Sequence, residues 1–205
     1  MNTRHILSNA APLLVAACAL ATASCGSEML RTGRAPVYLV VSEISASPGG
    51  TGSFAFLTSD VALSDGSVRN DNVTVTLRVE PKNPTVATTA MNAVTLTRYR
   101  VDFRRTDGRN TPGVDVPYGF DGGLSATVSP GSEVDVSFEL VRHQMKLEPP
   151  LKNLAGFDAA GSRSVSGLGF ISTIAEITIW GRDQNGNEVI ANASIDVHFA
   201  NFGDE

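Results

Sequence analysis

Residues 71–80, Asp-Asn-Val-Thr-Val-Thr-Leu-Arg-Val-Glu, alternate apolar and polar side chains from residue 73 onward. Val73, Val75, Leu77 and Val79 share one parity; Thr74, Thr76, Arg78 and Glu80 share the other. A period of two is the spacing of a β-strand, whose successive side chains point to opposite faces of a sheet. The stretch therefore predicts a strand with one oily face and one wet face. Pro81 and Pro84 end it, because proline has no N–H to give to a ladder.

The same period recurs on both sides. Behind Pro36 the β-branched run Val37–Ser45 reads as a buried first strand. Gly- and Ser-rich turns over 47–53 and 64–67 punctuate the chain between this run and residue 71. In the stretch 93–105, Val94 and Leu96 share one parity while Tyr99, Val101 and Phe103 share the other. A strand keeps its face only if an extra residue absorbs that change, so a bulge is predicted near Thr97–Arg98. Leu124, Ala126 and Val128 alternate, as do Val134, Val136, Phe138 and Leu140, and Pro130-Gly131 between them reads as a hairpin turn. Ala175, Ile177 and Ile179 alternate, and so do Val189 through Phe199, with Asn185-Gly186 as the hairpin signal. Residues 145–172 lack strand periodicity, although 149–156 suit one helical turn opened by proline and closed by Gly156. No long amphipathic helix and no fixed repeat is visible.

Short strands joined by Gly, Pro, Asn and Asp turns predict an all-β chain, with 36–205 forming one antiparallel sandwich. The segments 128–141 (VSPGSEVDVSFELV) and 177–199 (ITIWGRDQNGNEVIANASIDVHF) resemble the late strands of bacterial immunoglobulin-like and fibronectin type III-like domains. In those families a G-x-D-x-x-G-N-x-V hairpin joins the last two strands, matched here by Gly181, Asp183, Gly186, Asn187 and Val189. The resemblance implies an immunoglobulin-like β-sandwich of seven to nine strands. The cysteine pair of true immunoglobulin domains is absent, and the resemblance implies no activity.

The front of the chain carries a different message. Arg4 and His5 precede an apolar run, Ala10–Ala21, of signal-peptide length and too short to cross a bilayer comfortably. Residues 1–24 are expected to be a signal peptide. Both cysteines lie at this end, Cys18 inside the run and Cys25 just after it. Residues 22–27, TASCGS, resemble a lipobox, in which the cysteine is acylated and becomes the first residue of the mature protein. Cys25 is the expected lipidation site, followed by a tether to residue 35. Thr22 departs from the usual leucine. Cleavage at Cys18 fits that position better but leaves an apolar ALATAS behind the lipid. Cleavage after Ala23 by ordinary signal peptidase, leaving a free thiol, and an uncleaved anchor are the other readings. Gly26 in place of aspartate points, by the same resemblance, to the outer membrane. The membrane is then the first expected partner, through the lipid.

The chemistry-bearing residues are few. The chain has 205 residues and a net charge of -5, which argues against nucleic acid as the main partner. Beyond the leader only His143 and His198 remain, and no G-x-S-x-G elbow accompanies them. His198 shares the wet parity with Asn192, Ser194 and Asp196; His143 becomes interesting only beside a carboxylate and a nucleophile. Asp183, Asn185, Asn187 and Glu188 place oxygens close together, but a tight turn needs the same residue types, and calcium-loop spacing is not met. Gly167-Leu168-Gly169 is an isolated G-x-G and no phosphate cradle. No cofactor is expected.

Two surface features suit a partner. Arg98, Arg100, Arg104 and Arg105, with Arg109 beyond, form a basic stripe. It could meet an anionic partner, or pair with Asp102, Asp135 or Glu139 and guard an edge strand. Trp180, the single tryptophan, lies opposite Ile177 and Ile179 in parity. It serves as a sugar platform if exposed, and as a cap if buried. The expected function is thus a non-catalytic binding or structural module tethered at the cell envelope, holding a protein or glycan. The 145–172 segment is the first expected contact, and an accessory carbohydrate module built on Trp180 is the alternative.

Overall fold

The computed structural model describes residues 33–156 and 169–202; the leader, Cys18, Cys25 and 157–168 lie outside the described residues. Eight strands form two sheets: β1 (Val37–Ser47), β2 (Leu57–Asp60), β3 (Asp71–Pro81), β4 (Val94–Arg104), β5 (Phe120–Val128), β6 (Glu133–Val141), β7 (Ile171–Asp183) and β8 (Glu188–Ala200). One sheet has the order β1-β3-β6, the other β2-β8-β7-β4-β5. A single helical turn, α1 (His143–Lys146), comes after β6, and a 3-10 turn covers Leu151–Leu154. Gly156 lies just beyond it at φ 68, as a residue closing a helical turn requires.

β3 behaves as its pattern dictates. Val73, Val75, Leu77 and Val79 are buried against the second sheet, and the intervening threonines face outward. There Thr74 bonds Ser137 and Thr76 bonds Asp135 across β6. Each fully buried Val or Leu contributes about 1.5–3 kcal/mol relative to exposure. Between the sheets Val94, Leu96, Val101, Ile177, Ile179, Ile195 and Val197 complete the core. Tyr99 of β4 lies tilted on Phe138 of β6 with centroids 4.1 Å apart, joining the two sheets by ring contact. Burial raises the Tyr99 phenol above its usual pKa, since it disfavours the charged phenolate.

The bulge in β4 is where the change of parity places it. The register against β7 slips between Leu96 and Arg98, so Thr97 is the extra residue and Tyr99 returns to the core. β1 carries a second one, between Val41 and Glu43. Val37 and Leu39 face inward before it, and Ala46 after it.

Three expectations are corrected. β5 and β6 do not form a hairpin: β5 pairs with β4, β6 pairs with β3, and Ser129–Ser132 crosses from one sheet to the other. Crossing lets the oily faces of the two strands oppose each other across the sandwich, which hairpin partners in one sheet cannot do. Nor is the sheet wholly antiparallel, because β2 runs parallel to β8. Finally, β4 is an interior strand between β7 and β5, so its arginines guard no edge.

Candidate functional site

Asp71 opens β3 on the oily parity, and that places a carboxylate inside the protein. It is 2% exposed. Burying a charge is costly unless it is paired and hydrogen-bonded. The fold supplies three groups to meet that cost. Lys146 of α1, also 2% exposed, brings Nζ to 2.9 Å from Asp71 Oδ2. Ser59 of β2, fully buried, donates its hydroxyl to the same oxygen at 2.6 Å. Gly49 donates its N–H to Oδ1 at 2.8 Å. Lys146 Nζ donates in turn to the Asp60 carbonyl at 2.7 Å. Gly49 holds φ 55 in a 3-10 turn, a conformation that favours glycine, so the backbone can present this donor.

The network is the floor of a cleft of about 710 Å³ at one end of the sandwich. Its walls include Thr51, Thr58, Asp60, Asp65, Arg69 and Phe202. Asp65 is exposed, and bonds from the Ser67 hydroxyl and N–H hold its carboxyl below the usual range. Arg69 is exposed, and its charge helps to lower the Asp65 carboxyl. Chemically, the floor is a closed circuit in which each side-chain partner is engaged. The walls offer donors and acceptors together.

The residues singled out from the sequence are not gathered here. His143 N–H donates to Asn70 Oδ1 at 2.7 Å, and its ring Nδ1 lies 2.9 Å from the same oxygen. Asn70 passes to Glu139 at 2.7 Å, so an amide stands between this imidazole and the carboxylate. His198 lies half-buried on the outer face, stacked on Phe170 with Phe56 edge-on to it. Asp183 is buried and accepts the Asn185 and Asn187 N–H groups and the Asn187 amide. Its oxygens therefore serve the turn. Among the described residues no group of three or more His, Cys, Asp or Glu could hold a metal.

The arginines are paired. Arg100 binds Asp102 at 2.7 Å and Asp121 at 2.8 Å, and Arg104 binds Glu176 at 2.7 Å. Asp102 is thus a partner, as the sequence suggested, whereas Asp135 and Glu139 belong to Thr76, Asn70 and Arg142. Arg105 and then the Arg109 N–H lower the Asp107 pKa far beneath its usual value. Arg98 sits over the Trp180 ring, 3.8 Å from its centroid, and covers one face of the ring a sugar would need. Arg98→Ala is expected to uncover that face. Tryptophan emission should shift to longer wavelength while stability falls by no more than about 1 kcal/mol, the usual worth of an exposed cation–π contact. Unchanged emission would mean that the guanidinium does not cover the indole in solution.

Sequence reasoning missed the cleft because its parts come from 48–51, 58–71, Lys146 and Phe202. One signal was available: an aspartate on the oily parity at the head of β3 needs a buried partner. Comparison with protein-family models, curated proteins and solved structures yields no match.

Proposed function

We propose that this chain is an exported cell-envelope lipoprotein, held at the outer membrane by an acylated Cys25, whose sandwich is a non-catalytic binding module presenting its cleft to a protein or glycan partner. The observation that carries the reading is the course of β1. Val37 opens the first strand, and Ser47 at its other end leads directly into Pro48 and Gly49 of the cleft. At about 3.3 Å per residue, the strand sets the cleft roughly 33 Å from Val37. An anchor at Cys25 would thus join the fold at the end of β1 opposite to the cleft. The engaged circuit of Asp71, Lys146 and Ser59 suits a rigid floor better than a moving proton.

Metabolic labelling with a radioactive fatty acid tests the anchor. Label is expected on the native chain and on Cys18→Ser, and is expected to vanish in Cys25→Ser. Label persisting in Cys25→Ser would retire the assignment of the acylated residue. A native chain without label would retire the anchor altogether.

A further inference from the structure

We propose that the cleft at the Lys146 end binds a carbohydrate, with Asp65, Arg69, Thr51 and Thr58 meeting hydroxyls and Phe202 meeting an apolar ring face. The proposal rests on the binding reading above and names the chemistry of its ligand.

Size comes first. About 710 Å³ lies within the roughly 300–1,000 Å³ of small-ligand clefts, and a disaccharide fits such a space. Charge comes second. The lining holds three carboxylates, Asp60, Asp65 and Asp71, and two cations, Arg69 and Lys146. Asp71 and Lys146 neutralise each other in the floor. Asp60 Oδ1 already accepts the Ala62 and Phe202 N–H groups. An anionic ligand would meet Asp65, and a cationic one would meet Arg69. A neutral ligand that donates and accepts at closely spaced positions satisfies both, and a sugar's vicinal hydroxyls do so.

The donor set is the third argument. Arg69, whose charge acts on Asp65 across the wall, brings a fixed fork of N–H donors. Asp65 Oδ1 accepts the Ser67 N–H at 2.8 Å, and its carboxylate retains further lone pairs. Thr51 and Thr58 are exposed on opposite elements, the turn after β1 and β2. Phe202 supplies an aromatic wall, the surface on which the C–H face of a pyranose rests. The floor is also set in advance. Gly49 is tied to Asp71 and Lys146 to Asp60, so little order has to be imposed when the ligand arrives.

Saturation-transfer NMR on the purified full chain tests this with three probes at millimolar concentration: N,N′-diacetylchitobiose, cellobiose and maltose. Transfer to at least one probe is expected. Arg69→Ala and Asp65→Asn should each weaken it tenfold or more, while Trp180→Ala and Phe170→Ala leave it intact. Asp65 and Arg69 are exposed, so both variants should keep the native thermal midpoint, which is measured alongside. Absence of transfer from all three probes overturns the proposal. So does transfer that survives both cleft variants, and transfer lost only in Trp180→Ala moves the site to the indole. None of these outcomes touches the fatty-acid labelling, so failure of the ligand class and failure of the anchored-module reading remain distinguishable.

Discussion

Asp71→Ala is expected to lower unfolding stability by about 3–5 kcal/mol, measured by urea denaturation, because it leaves a buried ammonium without its counter-ion. Lys146 would keep only the Asp60 carbonyl. The Ser59 hydroxyl and the Gly49 N–H would lose their acceptor as well. A domain of this size has about 5–15 kcal/mol in hand, so the variant stands close to unfolding. The loss comes from removing one member of the pair, rather than from any large net worth of the pair itself. A second variant separates the two ideas. Asp71→Leu combined with Lys146→Met replaces both charges with apolar groups, and such replacements are often neutral or better. The double variant should be more stable than Asp71→Ala. If Asp71→Ala loses less than about 1 kcal/mol, the ammonium reaches water and the floor is not sealed.

Phe199→Ala should cost a similar amount, about 3–5 kcal/mol, through an entirely apolar mechanism. Phe199 is fully buried on β8, and its ring meets Phe103 edge-on with centroids 5.8 Å apart. β7 flanks it at Ile171 and β2 at Ser59. Strands on both sides leave the backbone little freedom to collapse into the void. Asp196→Ala, three residues earlier on the exposed parity, should change stability by no more than about 0.5 kcal/mol. Equal losses in the two variants would show that β8 does not present one face to the core.

Much of this was legible in the residues. Alternation in β3, β7 and β8 fixes which side chains go inside, because a slip of one residue would carry every valine into water. The bulge at Thr97 is dictated by the change of parity between Leu96 and Tyr99. The bulge in β1 obeys the same logic, since Leu39 and Ala46 differ in parity, yet the continuous apolar run 37–41 before it hides the alternation. Asp183 in the β7–β8 turn was readable as turn chemistry, and its three hydrogen bonds bear that out.

Partners were not legible. Period two is a property of one strand and carries no address for its neighbour. The pattern is therefore the same whether Pro130-Gly131 closes a hairpin or hands the chain to the opposite sheet. For the same reason, nothing in Leu57–Asp60 foretells a parallel alignment with β8. The arginine stripe shows the limit on the polar side. Arg98 and Arg100 face outward by parity, but whether they meet solvent, Asp121 or the Trp180 ring depends on strand order.

By itself, then, the order of residues determined every strand but β2, their oily faces, one bulge and the final hairpin, since each arises from steric and hydrophobic rules acting over a few neighbours. Tertiary structure alone decided the cleft. Asp71 and Lys146 stand 75 positions apart, and only the pairing of β3 with β6 in one sheet, followed by α1, brings a carboxylate and an ammonium within 2.9 Å, while stacking of the second sheet adds Ser59 and Asp60. Hydrophobic burial drives that stacking without regard to direction, and the ion pair then holds the one arrangement in which both charges are satisfied.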